Sequence, residues 1–162
     1  MTSQRVYSDE EWGLLVGLPE SVMMAAIFAE NDSVNRTADE SGAGLDAIAA
    51  GRDSGSTLVR DVALELVTRL GDPETGDLPP VLEIGSRQVD VNDVLTRARA
   101  ATDVLAAKAG PGEAAAYRHW LVGIADQVVN AAKSGGFLGI GGSWVSDSER
   151  HFVEELSTVL ND

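Results

Sequence analysis

The sequence predicts an all-α protein, a compact irregular bundle of six or seven helices. Three observations predict it. Apolar residues recur at intervals of three and four along most of the 162 residues, the period of a helix with one buried face. Capping signatures stand at the starts of these stretches and glycines at their ends. No segment reads clearly as a strand; "VLEI" at 81–84 is the one candidate for an extended piece.

The elements follow in chain order. Ser8-Asp9-Glu10-Glu11 is a capping box, with Ser8 as N-cap and Glu11 three residues on. It opens a short helix through Trp12, Leu14 and Leu15 that should stop at Gly17. Pro19 then suits the first turn of a second helix, because proline lacks an N–H that this turn does not use. That helix, "PESVMMAAIFAEN", is apolar nearly all round and should lie centrally. Residues 36–55 form a weaker helix, loosened by Gly42 and Gly44 and ending near Gly51. Ser56 caps the next, in which Leu58, Val59, Val62, Leu66 and Leu70 share a face and Glu65 and Arg69 pair outside it.

Three of the five prolines fall in the stretch that follows, so most of it cannot be helical. The chain is read as a single helical domain, 1–162, whose two halves divide near 71–88. Beyond the divide, a long helix carries Val91, Val94, Leu95, Ala98, Leu105 and Ala109 along a seam of modest side chains. Gly110-Pro111-Gly112 turns the chain into a helix that buries Tyr117, Trp120, Leu121, Ile124 and Val128. A second capping box, Ser146-Asp147-Ser148-Glu149, starts the last helix, with Phe152, Val153, Leu156, Val159 and Leu160 on one face.

Charge and composition narrow the function classes. Acids outnumber bases by 26 to 12, for a net charge of −14, and only two of the bases are lysines. Such a chain repels phosphates, so neither nucleic acid nor an anionic membrane surface is an expected partner. Acidity with so little lysine fits a halophilic setting, in which concentrated salt screens the self-repulsion. There is no cysteine, hence no disulfide and no thiolate chemistry. No uninterrupted apolar run approaches the ~18 residues of a membrane span, and no secretory leader is visible. A cytoplasmic location is the default expectation.

Two segments are candidate sites. "SGGFLGIGGSWVSDSE", 134–149, has the outer glycine spacing of a phosphate-binding loop, but Gly142 stands where that loop needs lysine and the segment follows a helix rather than a strand. It is read as a glycine-hinged turn. Phe137, Leu138, Ile140 and Trp144 either plug the core, the favoured reading, or form an exposed tip that docks a protein partner. The second segment is "AENDSVNRTADE", 29–40. Carboxylates at a helix C-terminus oppose its partial negative charge, and a Ca²⁺ or Mg²⁺ ion held by Glu30, Asp32 and Asp39 would resolve the conflict. A solvated acidic loop explains the same residues more simply.

The remaining chemistry-bearing residues fit no reacting constellation. His119 and Asp126 share a helix face, with Asn130 beyond, but His119 and Asp126 stand about 10 Å apart along the axis. His151 neighbours Glu154 on the last helix, and neither histidine follows a glutamate at the spacing of a di-iron site. Ser54 and Ser56 in "DSGS" sit at a helix start, where Ser56 caps rather than attacks.

Three features also carry a resemblance: Trp12 with the "LP" at 18–19, "AENDSVN" after a buried helix, and the closing "AAKSGGFLGIGGSWVSDSERHFVEEL". The tail resembles a group of prokaryotic helical proteins, without an assigned activity, that end in a glycine-rich loop, Val-Ser-x-x-Glu and a last helix. The acidic break is similar, more distantly, to that of TerB-like tellurite-resistance domains, whose Ala-Asp-Gly is here Ala29-Glu30-Asn31. That second resemblance implies metal binding and a stress role. The expected function is therefore a non-catalytic cytoplasmic binding or scaffold protein with an unidentified protein partner, a homo-oligomer remaining open. The alternative is a TerB-like stress protein holding a divalent cation; an enzyme ranks third, and no other cofactor is expected.

Overall fold

The computed structural model describes residues 3–29, 34–70, 90–134 and 147–161. These form six α-helices: α1 (Asp9–Phe28), α2 (Val34–Ala50), α3 (Thr57–Leu70), α4 (Val91–Lys108), α5 (Pro111–Ser134) and α6 (Asp147–Asn161). Single 3₁₀ turns, Ser3–Val6 and Gly51–Asp53, precede α1 and follow α2. No strand occurs among the described residues. The fold class is the all-α bundle that the periodicity predicts. The candidate extended piece at 81–84 and the divider at 71–88 lie outside the described residues.

α1 and α5 are the central pair, and each touches every other α-helix. Helices from both sides of the divider thus share one core, which runs from Trp12 and Leu15 through Val62 and Leu66 to Tyr117, Leu121, Phe152 and Leu160. The apolar faces read from the sequence point into it: Leu58, Val59, Val62 and Leu66 of α3, Val94, Ala98 and Leu105 of α4, and Phe152, Leu156 and Leu160 of α6 are buried. The first capping box is complete, with Glu11 N–H donating to Ser8 Oγ at 3.1 Å and Ser8 N–H to Glu11 Oε2 at 2.7 Å. Of the second, Ser146 lies outside the described residues, while Glu149 is buried.

One boundary differs from the expectation. The two helices predicted on either side of Gly17 are a single 20-residue helix with Pro19 inside it. Proline at 19 has no N–H for the carbonyl of residue 15, one turn back, and its ring crowds that oxygen. The bond comes from elsewhere: the hydroxyl of Tyr117 on α5 donates to Leu15 O at 2.7 Å. Tyr117 and Leu15 are both fully buried, so water could not have served instead. Burial also pushes the Tyr117 pKa well above the usual tyrosine value, with Tyr7 adding to the shift, which keeps the group a donor.

The merger has a second consequence. α1 is long and apolar enough to cross a membrane by length and mean hydropathy, 1.3, although 56% of that window is buried inside the bundle. A helix that packs against five others needs apolar residues all round, and this produces the same composition.

α2 runs unbroken through Gly42 and Gly44. At Gly44 the glycine is a packing requirement: a Cβ there would stand 2.5 Å from Met23 Cγ and 3.1 Å from Val128 Cγ2. Its absence lets α2 approach α1 and α5 closely.

Candidate functional site

The polar groups between helices are mostly committed to the fold. Glu113, in the first turn of α5, reaches across to the N-terminus of α3. Its Oε2 accepts from Ser56 Oγ at 2.5 Å and from Leu58 N–H at 2.8 Å, and its Oε1 from Thr57 N–H at 3.2 Å. Ser56 is itself the N-cap, accepting from Val59 N–H at 3.2 Å, as its position in the sequence predicts. A carboxylate is thus seated where α3 exposes free N–H groups and the positive end of its dipole. Partial burial pushes the Glu113 pKa up, but the Ser56 hydroxyl, the Leu58 and Thr57 N–H groups and the Arg60 charge together hold it below its usual value.

Glu65 has a similar role. It pairs with Arg69, as the i,i+4 spacing predicts, and also accepts from Trp12 Nε1 at 2.7 Å, which ties α1 to α3. Tyr7 stacks on Trp12 with ring centroids 6.0 Å apart.

Two clefts remain. The larger, about 510 Å³, lies between α4 and α6 and holds Arg99, His151, Glu154 and Glu155. His151 Nε2 pairs with Glu155 Oε1 at 3.3 Å, one residue beyond the Glu154 that the sequence reading set beside it. Their side chains are 70% and 43% exposed, so solvent weakens the pair and the cleft is a hydrated, mixed-charge surface.

The smaller cleft, about 320 Å³, lies where α5 crosses the end of α2. One stripe of α5 lines it, Ala116, His119, Trp120, Gly123, Ile124 and Gln127, spaced as neighbours on a helix face. The facing wall is the last turn of α2, the 3₁₀ turn at Gly51, and Ser54 and Val59. Trp120 is held rigidly: its Nε1 donates to Ala47 O at 3.1 Å and its ring meets Tyr117 edge-on, centroids 6.1 Å apart. Gly51 makes room for the indole, since a Cβ there would lie 2.8 Å from two ring carbons and 2.9 Å from Ala63 Cβ. Gly123 differs: a Cβ added to it meets nothing within 4 Å. The lining contains no lysine, arginine or carboxylate, and His119 is its one titratable side chain.

The residues singled out from the sequence fall as follows. Glu30 and Asp32, and likewise Phe137, Leu138, Ile140, Trp144 and the whole glycine turn, lie outside the described residues. Asp39 is an exposed residue of α2, next to the buried Glu40. Among the described residues no three histidine, aspartate or glutamate side chains converge as metal ligands would. His119 and Asp126 are separated in role: Asp126 accepts from Asn130 Nδ2 at its main-chain and side-chain oxygens, 2.7 and 3.1 Å, whereas His119 lines the cleft. Sequence reasoning placed Trp120 in the core and passed over Gly123 and Gln127. The available signal was a glycine in the middle of an otherwise strong helix, a residue that weakens helices by about 1 kcal/mol relative to alanine. No protein-family model, curated protein or solved structure matches the chain.

Proposed function

We propose that the protein is a non-catalytic binding module that takes its ligand in the cleft between α5 and the end of α2. The observation that carries this reading is the lining: an apolar floor, one fixed indole wall and a few hydrogen-bonding groups at the rim, the usual make-up of a site that binds. Acid–base or nucleophilic catalysis calls for paired reactive groups within hydrogen-bond reach, and this lining supplies His119 and the Ser54 hydroxyl but no carboxylate to orient the imidazole. The Ser54 Oγ accepts the Ser56 N–H at 3.1 Å and retains its own hydrogen to donate to a ligand.

The test is a titration of the ¹⁵N-labelled chain with a mixed set of small aromatic and aliphatic compounds, followed by two-dimensional NMR. Shifts should concentrate at the Trp120 indole N–H and at the backbone amides of 119–127 and 47–54, and every compound should be recovered chemically unchanged. Shifts elsewhere only, or conversion of a compound by the protein, overturn the proposal.

A further inference from the structure

We infer that the ligand of this cleft is a small planar nitrogen heteroaromatic, neutral or cationic, lying over Gly123 beside the Trp120 indole; this rests on the cleft being the binding face. Gly123 is the first ground. It interrupts α5 twelve residues from Pro111 and eleven from Ser134, far from either end, so it is neither a cap nor a turn. No neighbour forbids a side chain there. What the glycine does is leave a bare strip of helix backbone inside the cleft, with His119 one turn before it and Gln127 one turn after. A flat ring can lie against such a strip, whereas a bulky tetrahedral group needs depth that the helix backbone denies it.

The Trp120 wall is the second ground. Its hydrogen bond to Ala47 and its contact with Gly51 fix the ring before any ligand arrives, so little side-chain freedom is lost on binding. Aromatic rings pair with an indole in offset or edge-to-face arrangements, and a cation is drawn to its face.

Charge is the third. The lining has no lysine or arginine, the nearby Arg60 guanidinium is already engaged with the Ser54 carbonyl at 2.8 Å, and the molecule as a whole carries −14. The overall field therefore disfavours phosphates and carboxylates relative to neutral and cationic compounds. The rim supplies directional partners in the His119 imidazole, the Gln127 amide and the Ser54 hydroxyl, which match the N–H groups and ring nitrogens of a heteroaromatic compound. A volume of about 320 Å³ is at the small end for ligand sites and suits one ring or a fused pair.

Four probes test the inference on the full chain by the Trp120 indole N–H shift: benzimidazole and adenine as planar heteroaromatics, adenosine monophosphate as the anionic relative, and cyclohexanecarboxamide as a neutral compound that is not planar. Benzimidazole and adenine should bind at least tenfold more tightly than the other two. Gly123→Leu should abolish their binding, Gly123→Ala should weaken it, and His119→Ala should weaken it without changing the circular dichroism spectrum. Since a Cβ added at Gly123 meets nothing, Gly123→Ala should not melt below wild type, and Gly123→Leu is read for binding with its circular dichroism spectrum matched to wild type. Equal binding of cyclohexanecarboxamide, or tighter binding of the monophosphate, refutes the ligand class while leaving the cleft as a binding site. Unchanged binding of the planar probes in Gly123→Leu refutes their placement. No shift at Trp120 with any probe, or with the mixed set, refutes both the class and the cleft.

Discussion

Replacing Tyr117 by phenylalanine tests how α1 runs through its proline. The Leu15 carbonyl accepts from the Tyr117 hydroxyl at 2.7 Å, and residue 19, which would normally serve it, has no N–H. Tyr117→Phe leaves that oxygen buried with its cross-core donor removed. A buried polar group stripped of its partner costs about 1–3 kcal/mol, and full burial at both ends puts this one near about 2–3 kcal/mol. For a domain of this length about 1 kcal/mol moves the melting temperature by roughly 2–4 °C, so a fall of about 4–12 °C is expected. Urea unfolding followed by far-UV circular dichroism measures the loss, with an unchanged m-value as the check that both proteins unfold alike. The decisive comparison uses Pro19→Ala, which returns an N–H to residue 19. In that background Tyr117→Phe should cost less than about 1 kcal/mol, because the backbone can now satisfy Leu15. The double-mutant cycle should therefore give a coupling above about 1 kcal/mol. Equal losses in both backgrounds, to within about 0.5 kcal/mol, would refute the argument.

Glu113→Gln should destabilise the protein by about 1–3 kcal/mol at pH 7, because a charged acceptor holds the start of α3. Wild-type stability should also fall on acidification. The folded carboxyl has its pKa lowered, so its contribution is complete above the ordinary glutamate value of 4.5 and disappears as pH drops through the lower folded value. Unfolding free energies of wild type and Glu113→Gln, measured from about pH 6 to pH 2, should converge in that window; a constant gap would count against the clasp. The two cleft glycines should respond oppositely to alanine. Gly51→Ala pushes a Cβ into the fixed indole and should cost about 1–3 kcal/mol, whereas Gly123→Ala meets nothing and should gain about 0.4–1 kcal/mol. Thermal melts of the two variants decide this, and a shift of the same sign in both would contradict the packing described. Finally, with a net charge of −14, the melting temperature should rise as KCl is raised from roughly 0.1 to 2 M, and a flat profile would remove the halophilic reading.

What could be read from the sequence is what neighbours in the chain decide. The Ser8–Glu11 box, the Ser56 cap and the Glu65–Arg69 pair each join residues three or four apart, and each is present. The buried faces of α3, α4 and α6 are likewise a matter of local period, so the all-α class was legible before any packing was known. Tertiary structure decided the rest. Pro19 signals a helix start by every local rule, and only a tyrosine 102 residues from the Leu15 carbonyl it serves makes the proline tolerable in mid-helix. Gly44 looks like a weak point of α2 until Met23 is seen to occupy the place of its side chain. Glu113 has no local reason to cap a helix that begins 56 residues earlier. The cleft belongs to the same class. Its walls come from α2, the turn after it, α3 and α5, and no spacing within one segment announces that Gly51 and Trp120 will meet. Helical periodicity is a property of a single segment, whereas a site is a property of how segments cross. In this chain the crossings are set by two glycines, a tyrosine hydroxyl and a glutamate, each acting on residues far from it in sequence.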